Sequence, residues 1–173
     1  RNNGVTRNPN LMSKKCEGSW YYQQIELGYN YRMNELQAAL GNSQLQRIDQ
    51  IVQKRNTLRE RYDEFLKNIP IIMPYQSKDT YSSLHLYPIQ IDINNTSVKR
   101  DKIFDTLREN EIGVNVHYIP VHTQPFYLNV GFAKGDFPVA ENYYNNAISL
   151  PIFPQMSFND QDRVINILEK IIQ

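Results

Sequence analysis

Apolar residues recur at helical spacing through the first half of the chain. Leu36, Leu40, Ile48, Ile51, Leu58, Tyr62, Phe65 and Leu66 fall three or four positions apart, or at sums of these steps. The pattern predicts one long helix over residues 34–68, with Ala38 and Ala39 allowing close approach near its start. Asn34 is placed to cap it, and Gln37 stands where a capping box closes. Pro70 and Pro74 stop it. The next signal has a period of two. Leu84, Leu86, Ile89, Ile91 and Ile93 predict a strand over 84–93, with His85 a structural residue in mid-strand and Pro88 marking an edge or a bulge. Asn94-Asn95 reads as a turn. Ser97 then caps a helix to about Asn110, with Val98, Ile103, Phe104 and Leu107 along one side. Ile112 to Tyr118 reads as a second strand, followed by an irregular loop held by Pro120 and Pro125. A helix is expected over 138–147, opening on Pro138, and a short strand over Ile148-Ser149-Leu150. Asn159 is read as the cap of a last helix, with Asp160 and Asp162 suiting its dipole and Val164, Ile165, Leu168, Ile171 and Ile172 on its buried face.

Residues 1–33 lack such periodicity. They are polar, with Asn-Pro at 8–9, and Trp20, Tyr21, Tyr22, Ile25 and Leu27 suggest a short strand or a docking segment. The expected organisation is therefore a tail over 1–33, a linking helix over 34–68 and a small α+β domain over 69–173.

Composition narrows the function classes. The chain has 19 basic and 18 acidic residues, a net charge of +1, and no Lys/Arg-rich run, which argues against nucleic acid as a partner. No apolar stretch is long enough to span a membrane. A single cysteine, Cys16, excludes an internal disulfide framework and fits a reducing compartment, so the expected location is cytoplasmic. Twelve tyrosines and seven phenylalanines suit interfaces and sugar or nucleotide sites, and equally suit plain core filling.

Three blocks carry a resemblance. The first runs Gly28-Tyr29-Asn30-Tyr31-Arg32-Met33-Asn34-Glu35-Leu36-Gln37-Ala38-Ala39-Leu40. The second runs His117-Tyr118-Ile119-Pro120-Val121-His122-Thr123-Gln124-Pro125-Phe126-Tyr127, and the third Ser149-Leu150-Pro151-Ile152-Phe153-Pro154. In this order, and with the opening Arg1-Asn2-Asn3-Gly4, the chain resembles the DegT/DnrJ/EryC1/StrS family of sugar-nucleotide aminotransferases that use pyridoxal phosphate. It looks closest to the branch that aminates a UDP-linked 4-keto-sugar on the route to pseudaminic acid. The resemblance implies the small C-terminal α+β domain of a fold-type I enzyme, joined by a long linking helix. It also implies pyridoxal 5'-phosphate as cofactor, glutamate as amino donor, a UDP-linked keto-sugar as acceptor in surface-glycan biosynthesis, and a homodimer. The family's Schiff-base lysine lies upstream of the segment resembling Arg1-Asn2-Asn3-Gly4. The chain is therefore expected to be the C-terminal part of a longer aminotransferase, to hold no catalytic residue and to be inactive alone. Lys14 and Lys15 lie in a polar loop, Lys54 and Lys67 on a helix's solvent side, and Lys78 and Lys99 beside turns, so none is read as the Schiff-base lysine. A non-catalytic sugar-nucleotide-binding or protein-interaction module is the alternative.

For the site, the resemblance implies that Asn30 reaches across a dimer to the cofactor phosphate, where an amide N–H is a suitable donor; read without it, Gly-Tyr-Asn is turn chemistry. Arg32 suits phosphate or carboxylate through its planar fork, and suits a salt bridge to Glu26 or Glu35 equally well. Tyr29 and Tyr31 pack under cofactor or sugar, or simply pack. His117, Tyr118 and His122 are expected to line the sugar-nucleotide pocket, against a reading as satisfied loop or core groups. Gln124 and Tyr127 are weaker contacts. Two imidazoles five apart without a Cys or carboxylate cluster do not make a metal site.

Overall fold

The structure is a computed structural model that describes residues 2–172. It separates into two compact units, Arg1–Ile48 and Asp49–Gln173.

The first unit is organised by a short antiparallel ladder. Strand β1 (Val5–Thr6) pairs with β2 (Gln23–Gln24), Val5 opposite Gln24 and Thr6 opposite Gln23. Only glycine fits where the two chain segments meet. Gly4 adopts φ +70°, and a Cβ there would lie 1.8 Å from the Glu26 carbonyl oxygen. A Cβ on Gly28 would lie 2.4 Å from the Gly4 nitrogen. The close approach lets the Ile25 N–H reach the Gly4 carbonyl at 2.9 Å and the Asn3 N–H reach the Tyr29 carbonyl at 3.0 Å. Helix α1 (Glu35–Leu45) then starts at the expected cap: Asn34 Oδ1 accepts from the Gln37 N–H at 2.9 Å, and Gln37 Oε1 accepts from the Asn34 N–H at 3.2 Å.

The single helix expected over 34–68 is instead two. Helix α2 spans Ile48–Phe65, and the chain between the helices tightens into a turn in which the Arg47 N–H reaches the Gln44 carbonyl at 3.0 Å. Gly41, Asn42 and Ser43 are weak helix formers, and Ser43, Gln44 and Arg47 fill the positions that would continue the apolar stripe. Nothing apolar holds the helix across that point.

In the second unit, β3 (Ile71–Ile72), β4 (Tyr87–Ile91) and β5 (Ala147–Leu150) form an antiparallel sheet in the order β3-β4-β5. Ile71 pairs with Ile91, Ile89 with Ile148, and Tyr87 with Leu150. The expected strand over 84–93 is shorter, and His85 lies before it rather than within it. β4 is central, not an edge. Pro88 is tolerated because β3 reaches only Gln90 and Ile91, while Ser149 opposite it bonds through its own N–H and carbonyl to Asn115. The expected strand over Ile112–Tyr118 reduces to that one bridge, Asn115 with Ser149. Asn115 Oδ1 takes the Val116 N–H at 2.8 Å and ends the ladder there.

Helix α3 spans Arg100–Glu109, beginning after Lys99 with no side-chain cap, so Ser97 does not cap it. Short helix α4 (Pro125–Asn129) follows, then α5 (Pro138–Asn146), which opens on Pro138 as expected. The last helix, α6 (Phe158–Ile172), is capped by Ser157 and not Asn159. Ser157 Oγ accepts from the Asp160 N–H at 3.1 Å, and Asp160 Oδ2 accepts from the Ser157 N–H at 3.0 Å. The core gathers Leu58 and Tyr62 from α2, Ile103 and Leu107 from α3, Ile89 and Ile148 from the sheet, and Val164 and Leu168 from α6. Its polar members bond to nearby groups, with Gln161 Oε1 left unpartnered among the described residues. Tyr62 and Tyr87 stack at 4.9 Å, Tyr62 donating to the Pro151 carbonyl at 3.0 Å and Tyr87 to Asp63 at 2.6 Å. Burial first, and the Asp63 carboxylate second, push the Tyr87 hydroxyl pKa well up, so it is a permanent donor. Gln161, fully buried, donates to the Leu58 carbonyl at 2.7 Å and ties α6 to α2.

Candidate functional site

Each unit presents its own candidate surface. In the first, the Gly4–Gly28 approach fixes the run that follows Gly28. Tyr29 and Tyr31 stack with ring centres 4.9 Å apart and planes 11° apart, and both are exposed. Asn30 between them is exposed, with no side-chain hydrogen bond among the described residues. Arg32 makes no ion pair with Glu26 or Glu35 among the described residues. It lines a cavity of about 490 Å³ with Asn2, Asn3, Val5, Arg7 and Tyr22. Asn30 does not line that cavity. Arg7, Tyr22 and the two asparagines were not legible as site residues. They meet only because Thr6 pairs with Gln23, which sets Arg7 and Tyr22 on facing segments just past the ladder.

In the second unit, the loop after Asn115 carries the remaining candidates. His117 Nδ1 lies 2.8 Å from Ser149 Oγ and its Nε2 3.5 Å from the Asn115 amide, so the ring is held against β5. Tyr118 follows across a cis peptide bond, its ring edge-on to His117 at 4.6 Å and largely exposed. His122 is 7% exposed. Its Nε2 lies 2.7 Å from Glu141 Oε1, and its ring lies 4.8 Å from that of Phe137. The same Glu141 oxygen accepts the Gly135 N–H at 2.6 Å. Those contacts, the His122 hydrogen bond foremost and the Gly135 N–H next, hold the Glu141 carboxyl below the usual carboxylate range. Glu141 lies on α5, and no local spacing announces its pairing with a histidine 19 positions earlier.

Two adjoining cavities lie on this side of the second unit. One, about 620 Å³, is lined by Tyr118, Pro120, Phe137, Val139 and Tyr143. The other, about 310 Å³, is lined by Pro120, His122, Tyr127 and Phe132. They share Pro120, Phe137 and Ala140. Tyr118, His122 and Tyr127 are thus brought together, while His117 lines neither cavity and Gln124 serves as the residue before α4. The walls are mainly aromatic and apolar, with Asp136 also lining the larger cavity and His122 the smaller, a surface suited to the faces of sugar or base rings. Among the described residues no cluster of His, Cys, Asp or Glu is arranged to hold a metal, and no helix is long and apolar enough to cross a membrane.

The chain matches known proteins over most of its own length. It is 40% identical to the spore coat polysaccharide biosynthesis protein SpsC of Bacillus subtilis over 159 residues, covering 90% of this chain and 41% of SpsC. It is 32% identical to the UDP-4-amino-4,6-dideoxy-N-acetyl-beta-L-altrosamine transaminase of Campylobacter jejuni over 157 residues, covering 88% of this chain and 41% of that enzyme. The chain therefore spans about two-fifths of the length of the curated relatives it matches. Its α+β fold superposes on the PLP form of Spr1654 from Streptococcus pneumoniae, assigned as a sugar aminotransferase, with a TM-score of 0.79 and 28% identity, over 99% of this chain and 42% of that one. The model of one family matches residues 4–169, from Gly4 at the close approach to Glu169 in the last helix, and by that match the chain belongs to the DegT/DnrJ/EryC1/StrS aminotransferase family.

Proposed function

We propose that this chain is the small-domain portion of an enzyme that transfers an amino group, from glutamate, to a keto-sugar linked to a nucleotide, UDP in the first instance, in surface-glycan biosynthesis. Family membership and the nucleotide-sugar transaminase among its relatives support the reaction class. The single observation that carries the site assignment is Arg32. Within the run that resembles the family, Arg32 lines a cavity whose other polar residues among those described are Asn2, Asn3, Arg7 and Tyr22, with no Asp or Glu.

The residues present fit pyridoxal 5'-phosphate at its phosphate end. When bound, that cofactor supplies the electron sink for moving an amino group between carbons. Asn30, exposed and without a side-chain hydrogen bond among the described residues, would donate its amide N–H to the phosphate of the cofactor held by the neighbouring subunit of a homodimer. Arg32 adds charge and a planar pair of donors. Tyr29, stacked on Tyr31, offers a flat wall to cofactor or sugar. Tyr118 presents its ring to the acceptor sugar from the larger aromatic cavity, and His122, pinned by Glu141, holds the loop that shapes the smaller one. His117, bound to Ser149, sets the direction in which Tyr118 departs from the Asn115–Ser149 bridge, and acts on substrate through Tyr118. The reaction is placed in the cytoplasm. We propose that residues 1–173 alone do not transaminate, because that chemistry needs a Schiff-base lysine and none of the lysines of this chain is assigned that role.

The assignment is tested on the native gene product that carries this chain. Asn30→Ala is expected to weaken cofactor retention at least tenfold, read from the cofactor's visible absorbance after dialysis, with the far-UV CD unchanged. Unchanged retention would remove Asn30 from the cofactor site.

A further inference from the structure

Among the described residues, two arginines line the cavity of the first unit, and three separate chain segments bring its lining together. Asn2 and Asn3 enter from the start of the chain, where Asn3 takes φ +55° and Gly4 φ +70°. Arg7 follows β1, and Tyr22 stands across from it before β2. Arg32 arrives from the run after Gly28, which is locked to Asn3 by the Asn3 N–H to Tyr29 carbonyl bond. Among the described residues the polar ones lining the cavity are Arg7, Arg32, Asn2, Asn3 and Tyr22, with no Asp or Glu. Among the described residues, neither arginine has an ion pair or a side-chain hydrogen bond to protein, and neither do the Asn2 and Asn3 amides.

Like charges facing one cavity repel, and solvation only partly relieves this. A group with several acceptor oxygens and negative charge removes the repulsion and meets both forks at once. The flanking amides and the phenol add neutral donors at the rim, which suits an oxyanion with more oxygens than two forks can satisfy.

We propose that Arg7 and Arg32, with the Asn2 and Asn3 amides, form a two-arginine site for a ligand oxyanion, a phosphate ester or a carboxylate. The inference rests on Arg32 being an anion contact and adds Arg7 as the second charge. Asn30, two positions before Arg32, does not line the cavity.

The test uses the 173-residue chain and needs no turnover. Methyl phosphate, glutarate and, as a neutral control, glycerol are titrated separately and followed by NMR of the arginine side-chain N–H groups. The expected result is saturable binding of at least one anion, with Arg7 and Arg32 shifting together and no response to glycerol. Tighter methyl phosphate identifies a phosphate-ester site, and tighter glutarate a carboxylate site. Arg7→Met and Arg32→Met are each expected to weaken the preferred anion at least tenfold, with Arg7→Lys falling between Arg7→Met and wild type because it keeps charge but loses the fork. Both arginines are exposed, so these variants should keep the Ile25 amide protected by the Gly4 carbonyl, which serves as the fold control. Binding that Arg7→Met leaves intact, or no saturable binding of either anion, overturns the proposal. Anion binding that survives in a gene product unable to transfer amino groups would sink the aminotransferase reading and leave this site standing.

Discussion

At the scale of single residues, the account turns on contacts that only one side chain satisfies. Gly4 is the sharpest case: a methyl group there meets the Glu26 carbonyl oxygen at 1.8 Å. Gly4→Ala is expected to open the first unit locally, with the Ile25 and Asn3 amides exchanging at least tenfold faster while core amides of the second unit hold their rates. Equal exchange in variant and wild type would mean the close approach is not present in solution. Glu141 gives a pH-dependent counterpart. Its folded pKa is lowered, by the His122 hydrogen bond first, then the Gly135 N–H, with Lys134 assisting. A depressed carboxylate contributes stability that is present above its unfolded pKa and lost as pH falls through the folded one. Thermal melts of wild type and Glu141→Gln should therefore differ above the ordinary carboxylate range and converge as pH drops below it. A gap indifferent to acid would show that the carboxylate charge does not matter to the loop. Of the residues singled out in the sequence, Asn34 and Gln37 were fully legible because a capping box is local. Arg7 was not, because its place depends on a ladder 17 positions away, Thr6 to Gln23.

At the scale of elements, the sequence pattern located segments better than it located their ends. The helices opening at Glu35 and Pro138 and the strand at Ile148 follow directly from caps, proline and apolar runs. The last helix was placed one cap too late, since both Ser157 and Asn159 are good caps and only the reciprocal bonds of Ser157 with Asp160 decide between them. Ser157→Ala should cost about 1 kcal/mol, seen as a midpoint lowered by roughly 3 °C; no change would transfer the cap elsewhere. The break between α1 and α2 was missed because apolar positions on either side stay in phase while the turn between them carries none. The expected strand after Ile112 failed for a reason confined to one side chain, the Asn115 amide that captures the next N–H. Leu58, fully buried where α2 meets α6, tests the packing: Leu58→Ala should destabilise the second unit by about 2–5 kcal/mol. A loss below about 1 kcal/mol would contradict its place in the core.

At the scale of the whole molecule, the chain holds a complete small core in its second unit but displays much apolar surface. Leu27 and Val139 are almost fully exposed, and Phe126, Phe132 and Phe137 line one stretch of the second unit. Contiguous exposed apolar surface marks interaction sites. The central claim is that this chain forms part of a nucleotide-sugar aminotransferase, and one assay addresses it directly. The native gene product carrying this chain is supplied with pyridoxal phosphate, glutamate and a UDP-linked 4-keto-sugar, and the amino sugar is measured by mass spectrometry. The account predicts a UDP-linked amino sugar formed in equal amount to 2-oxoglutarate, and its loss when glutamate is withheld. No amino sugar from this or any other nucleotide-linked keto-sugar, with cofactor bound, would contradict it.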